Sequence, residues 1–283
     1  MIDPVDAILA AHGFSGAWTR LNANGLANRV YATADVVLRV ATDHPEAVED
    51  ARTESVAAPA AREAGIRTPC LLTFDDSRTF IDRPFSIWER IHGETLGCAG
   101  LDAGQRTRVW CEVGQEVAKL HSRVRVCPDP HGYLDSPGYE LSLGPTVARL
   151  IDVGAANREF AREISRFLDE LAPHVVTADH ERCFVHNDLH DMNVMCTPTG
   201  ALLAVIDWGD SGWGDPALDF VGVPLDMMSG AFEGYGFTNR VRLGVFPEAR
   251  IVWAKLQGAM DDAISQPGRP IPLTLFRRFL DNR

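Results

Sequence analysis

The chain has no surplus of positive charge: 39 acidic side chains face 27 basic ones, for a net charge of -12 over 283 residues. That disfavours a nucleic-acid partner, because phosphate backbones are held by basic surfaces. The six cysteines, Cys70, Cys98, Cys111, Cys127, Cys183 and Cys196, include no C-x-x-C pair. The zinc and redox spacings are therefore missing, and the thiols read as reduced packing groups. No stretch stays apolar for the ~18 residues a membrane span needs. The start, Met1 to Asp6, has no basic region followed by an apolar run, so no secretory signal is expected. Internal repeats and low-complexity tracts are lacking too. A G-x-x-x-x-G-K-[ST] loop occurs nowhere, which excludes a Walker-type nucleotidase. These absences predict a cytoplasmic protein without a membrane or nucleic-acid partner.

What is present is globular composition, 46% hydrophobic and 23% charged, in a chain long enough to bury about three quarters of its unfolded surface. The first ninety or so residues read as strands with one helix. Ala17 to Leu21 and Arg29 to Ala32 are β-prone runs around the polar turn Asn22 to Asn28, and Asp35 to Ala41 is a third strand. Pro45 to Ala64 has a helical pattern, with Pro45 suited to its start, Gly65 to its end, and a kink or break expected at Pro59. Cys70 to Phe74 and Phe85 to Ile91 are two further strands.

From Leu101 the period changes. Val109, Trp110, Val113, Val117 and Leu120 recur at helical spacing and form a core stripe. Residues 128–145 read as a loop, Pro145 to His174 as helical again, and Ala249 to Ile264 as a helix near the end. A strand-rich front and a helix-rich back predict an α+β fold of two lobes, residues 1–91 and 92–283, with Gly93 as linker.

The chemistry concentrates in Phe184-Val-His-Asn-Asp-Leu-His-Asp-Met-Asn-Val194 and in Asp207, fourteen residues after Asn193. Thr197-Pro-Thr-Gly200 between them is a turn signal. Val194 to Cys196 and Ala201 to Ile206 should therefore pair as an antiparallel hairpin. Its open end brings together Asn193, which opens one strand, and Asp207, which closes the other. Asp188 lies on the loop entering that same end. Such an arrangement suits phosphoryl transfer. Magnesium takes hard oxygen ligands, which Asn193 and Asp207 can supply, and Asp188 can accept or orient an acceptor hydroxyl's proton. His186 and His190 are four apart, as in a zinc motif, but Asn187 stands where that motif needs Glu.

The pattern His186-x-Asp188-x-x-x-x-Asn193 with Asp207-Trp-Gly209 resembles the catalytic loop and metal-binding Asp of the protein-kinase-like fold. Together with Leu189-His190 and Gly214-Asp-Pro-Ala-Leu-Asp-Phe220, it is most similar to the aminoglycoside phosphotransferase and choline kinase branch. The resemblance runs from about Asn22 to Phe220. It implies Asp188 as catalytic base, Asn193 and Asp207 as magnesium ligands, His186 as a structural residue, and ATP or GTP as phosphate donor. It also implies a basic residue facing the phosphates on the third strand, Arg39, with Glu54 as its partner on the next helix. Glu89 and Ile91, at the end of the last front strand, join the nucleotide site. This chain departs from the kinase pattern in carrying Arg39 rather than Lys. Its phosphate loop contains only Gly25, so the grip there should come from Asn24, Asn28 and backbone groups. Asp191 adds an unexplained negative charge.

The expected activity is phosphorylation of a small-molecule hydroxyl, foremost an antibiotic. The alternatives are a metabolic kinase acting on choline, an amino alcohol or a sugar, and an inactive nucleotide-binding regulator. A protein kinase is disfavoured, because Gly214-Asp-Pro216 follows Asp207 with little room for a peptide-docking segment. Asp219 reads as an anchor of the catalytic loop. Trp213, Glu233 and Tyr235 are the expected pocket residues.

Overall fold

The structure is a computed structural model that describes residues 4–21, 27–176 and 180–282. It opens with a helix, α1 (Pro4–Ala11), that the strand-rich reading of the front did not include. Val5, Ile8 and Leu9 lie at helical spacing and pack on Val36, Leu38, Val40, Phe85 and Ile87 of the sheet. Two turns of helix offer too few repeats for periodicity to stand out.

Strands β1 (Thr19–Leu21), β2 (Asn28–Ala32) and β3 (Val36–Ala41) follow, then helix α2 (Ala47–Glu63), β4 (Leu71–Asp75) and β5 (Phe85–Glu89). The five strands form one antiparallel sheet in the order β1-β2-β3-β5-β4. Side chains alternate faces along a strand. On β3, Val36, Leu38 and Val40 meet α1, so Val37 and Arg39 take the opposite face. Helix α2 runs through Pro59, so of the kink or break expected there, the break does not occur. Ala57, Ala58, Ala60 and Ala61 flank the proline and are packed into the main core. Those contacts hold the helical backbone where the missing N–H would favour ending it.

The rest of the chain is mainly helical. After β6 (Glu94–Thr95) comes α3 (Ala103–Arg123), started by a capping box between Asp102 and Gln105. The helical pattern expected from Pro145 to His174 is two helices, α4 (Gly144–Asp152) and α5 (Arg158–Val176). Gly154, at φ 74°, turns the chain between them. Then come β7 (Cys183–Val185), β8 (Val194–Cys196), β9 (Leu202–Val205), β10 (Gly212–Gly214) and a 3-10 turn, Pro216–Phe220. The chain ends with α6 (Met228–Tyr235), α7 (Phe237–Arg240), α8 (Pro247–Ser265) and α9 (Leu273–Asp281).

The main core joins the α3 stripe, including fully buried Trp110, to the β8–β9 hairpin, Trp208 and Phe220. A second core packs α4, α5, α8 and α9 together. Helices α3 and α6 approach so closely that a Cβ at Gly234 would lie 1.8 Å from the Cys111 carbonyl oxygen. Among the described residues, no helix is long and apolar enough to cross a membrane.

Candidate active site

The expected antiparallel hairpin forms: β8 pairs with β9, Val194 opposite Val205, with a register shift between Met195 and Cys196. The Ile206 N–H donates to the Asn193 carbonyl at 3.0 Å, which extends the pairing to the open end. Asn193 and Asp207 therefore leave the hairpin side by side. Asp207 has φ 68° and Asn187 φ 69°, a left-handed conformation that costs energy for non-glycine residues and needs support from its surroundings.

That support is visible. His186 is fully buried. Its Nε2 lies 3.0 Å from the Ile206 carbonyl, and its Nδ1 lies 3.3 Å from the Asp188 N–H. A carbonyl can only accept and an N–H can only donate. The ring is therefore the neutral tautomer with its proton on Nε2, and burial lowers its pKa. His186 thus ties the start of the loop to the end of the hairpin. The Asn187 N–H donates to Asp219 Oδ1 at 2.7 Å. Asp219 Oδ2 lies 2.8 Å from His121 Nε2, whose Nδ1 is 2.9 Å from the Tyr235 hydroxyl. Asp219, His121 and Tyr235 are all fully buried. This network anchors the loop to α3 and α6.

Asp188 stays accessible, its side chain 42% exposed. Asn193 Nδ2 donates to the Asp188 carbonyl at 2.9 Å and to Asp188 Oδ2 at 2.8 Å, and lies 3.2 Å from His190 Nε2. With the amide nitrogen committed to the loop, the amide oxygen is left as the acceptor end. The hydrogen bond to Asp188 raises the pKa of His190 against the opposing effect of burial. Asp191 is accounted for by Arg106 of α3, 2.5 Å away. Its charge fastens the loop to the helix behind it.

Across the cleft, Arg39 bridges two carboxylates. Nη1 lies 2.5 Å from Glu54 Oε1, and Nη2 lies 2.8 Å from Asp207 Oδ1. Burial alone would lower the pKa of Arg39, but Glu54 and Asp207 together raise it. Arg39 in turn holds Asp207 below the usual carboxylate range. Burial pushes Glu54 up to about 7 against the pull of Arg39. Trp208 is buried, and its indole donates to Thr68 Oγ1 at 3.0 Å.

Two further carboxylates, not singled out in the sequence, border this site. Asp50, one turn before Glu54 on α2, is pushed up to about 6 by burial and then by Asp207. Asp210, on the open rim, is pushed up to about 7 by reduced hydration and then by Asp188, Asp50, Asp207 and Asp135. The i, i+4 spacing to Glu54 was the available signal for Asp50. Nothing local marks Asp210.

The other expected site residues are less engaged. Glu89 accepts the Cys70 N–H at 3.1 Å and faces Arg62 at 3.4 Å, while Ile91 follows β5 on the segment leading to β6. Asn28 opens β2. Asn24 and Gly25 lie outside the described residues. Trp213 sits on β10 against Phe184. Glu233 lines a groove between α6, α7 and α9. Tyr235 is a correction: its hydroxyl is spent on His121 in the core, so it lines no pocket.

A sequence profile of the phosphotransferase enzyme family, APH, matches residues 18–236. The chain belongs to that family. No curated protein sequence matches it. Among solved structures, this phosphotransferase is similar to a GDP complex of a mutant aminoglycoside 2'-phosphotransferase-IIIa. The TM-score is 0.69 at 14% identity, over 98% of this chain and 96% of that one. The ADP-bound aminoglycoside phosphotransferase APH(2'')-Ib gives 0.64 at 16% identity, over 98% and 96%. A choline/ethanolamine kinase family protein from Mesorhizobium loti gives 0.60 at 21% identity, over 98% and 90%. At such identities the likeness shows the fold, which is the α+β, protein-kinase-like one. Family membership makes the chain a small-molecule phosphotransferase with a hydroxyl as acceptor.

Proposed function

We propose that this phosphotransferase moves the γ-phosphoryl group of ATP or GTP to a hydroxyl of an amine-bearing antibiotic, with Asp188 as base. The observation that carries the reading is the convergence of Asp188, Asn193 and Asp207 at one end of the hairpin, opposite Arg39. Residues 1–91 form the nucleotide lobe, with Arg39, Glu54, Asn24, Asn28, Glu89 and Ile91 at its site, and residues 92–283 form the catalytic lobe. The donor set fits magnesium: Asp207 and Asn193 carry hard oxygen ligands on the two strands that end together at the open end of the hairpin. When bound, magnesium would offset phosphate charge. Asp188 would orient the acceptor hydroxyl and take its proton. Arg39 would meet the phosphates. The availability of ATP and GTP, together with six free cysteines, supports a cytoplasmic setting.

The acceptor reading rests on charge. Asp188 and Asp50 both repel Asp210, and Asp207 repels Asp50, and an ammonium would relieve that. Structures of similar fold include complexes with kanamycin, streptomycin and gentamicin. The Mesorhizobium loti protein favours a second reading, a metabolic kinase of a small amino alcohol. An inactive regulator fits less well, since all three oxygen-bearing side chains are present and adjacent. A coupled nucleotide-turnover screen, with mass detection of product, tests the proposal. Phosphorylated aminoglycoside is the expected result. Turnover on choline or ethanolamine alone would select the second reading, and no turnover on either panel would overturn both.

A further inference from the structure

Of the 27 basic side chains only two are lysines, Lys119 and Lys255. Lys119 is paired with Glu116 at 2.9 Å. Lys255 of α8 is half-buried and has no carboxylate partner among the described residues. Its ammonium carries three donors. One goes to the Val223 carbonyl at 2.7 Å, and the described residues offer the other two no acceptor. Burial pushes the amine down to about 8, and no carboxylate offsets that effect. A cation buried without a partner costs free energy, and a bound anion would remove that cost.

There is room for one. Lys255 lines a hollow of about 620 Å3 between α8, α9 and the segment that follows the 3-10 turn. Val221, Leu225, Leu275 and Phe276 give it an apolar wall, and Asp226 and Asp262 are its other charged groups. Asp262 is taken by Arg269, and Asp226 is exposed. We propose that this hollow is a binding site for a small carboxylate with an apolar body, whose acid end pairs with Lys255. The two free N–H groups suit a carboxylate, which can accept both. The wall suits a ring or short alkyl chain, whose burial adds to the affinity. Lysine suits the place because a compact ammonium can reach a backbone carbonyl and a ligand together.

Fluorine NMR of para-fluorobenzoate with the full chain tests this, beside the neutral para-fluorobenzamide and the cationic para-fluorobenzylamine. The benzoate is expected to bind more tightly than either. Lys255→Met should weaken it roughly tenfold or more, the usual weight of a hydrogen bond to a charged group. Arg39→Gln, which removes the cation of the cleft, should leave it unchanged. In the parent, affinity should fall as pH rises through about 8, where the amine sheds its proton. The neighbouring charged groups, Asp226, Asp262 and Arg269, are of types that do not titrate in that window. Lys255→Met should therefore show no such fall, and the parent's profile carries the test if that variant does not fold. No binding of benzoate, equal binding of benzamide, a flat pH profile in the parent, or a loss in Arg39→Gln would each overturn the proposal. Tighter binding of the benzylamine would overturn it too, giving the hollow to its two carboxylates.

Discussion

Asp188 and Asp207 are both carboxylates of the cleft, but they are held differently, and the roles proposed for them separate on that ground. Asp188 is fixed by the Asn193 amide and kept open to solvent, which suits a group that meets an acceptor hydroxyl. Asp207 is turned toward Arg39 by its left-handed backbone, which suits a group that meets the phosphate side. Asp188→Asn is expected to cut turnover by about a hundred- to ten-thousandfold, the usual loss for a positioned base. Nucleotide affinity measured by calorimetry should stay near the parent value. Asp207→Ala should reverse the emphasis, weakening metal-dependent nucleotide binding in the same titration as well as abolishing activity.

At the scale of elements, the site depends on α2 lying directly on the turn after β9. A Cβ at Gly209 would come within 2.8 Å of the Asp50 Cβ and 3.2 Å of its Cα. Gly209→Ala should therefore push α2 outward and pull Glu54 away from Arg39. Overpacking of this kind costs ~1–3 kcal/mol. A drop in kcat together with a rise in nucleotide KM would report it, given the phosphate contact proposed for that pair. On the other side of the loop, Tyr235→Phe removes the hydroxyl that pairs with His121. Leaving one end of a buried polar chain unpaired should cost ~1–3 kcal/mol of stability in urea unfolding. It should also lower kcat through the Asp219 contact to the Asn187 N–H.

At the scale of the molecule, one half-buried cation makes stability depend on pH. Lys255 of α8 donates to the Val223 carbonyl at 2.7 Å, and burial pushes its amine down to about 8. Below about pH 8 the amine is charged both folded and unfolded, and the cost of burying that charge is fully present. Between about 8 and the ordinary value of 10.5, the folded chain sheds the proton first. The unfolded chain then binds more protons, and stability rises with pH across that window. Thermal melting of the parent against Lys255→Met should show the parent gaining on the variant from about pH 8 to 10.5. A constant difference across the window would remove Lys255 as the cause.

The sequence by itself determined the parts of this protein that depend on neighbours along the chain. The hairpin of β8 and β9, the placing of Asn193 and Asp207 at its open end, and the loop carrying Asp188 all lie within about two dozen residues of one another. A turn signal and strand alternation suffice to align them. The core stripe of α3 was legible for the same reason, since its period repeats over many turns. Only the tertiary structure decided what depends on contacts between distant segments. It brought Asp207, 168 positions further along the chain, onto the Arg39–Glu54 pair that the resemblance implied and the structure shows. It placed Asp50 on Gly209, gave Asp191 its partner in Arg106, and spent Tyr235 in the core rather than in a pocket. It also carried α2 through Pro59. Local propensity is worth a fraction of a kcal/mol to a few kcal/mol per residue, and packing between elements overrides it when a whole face is buried.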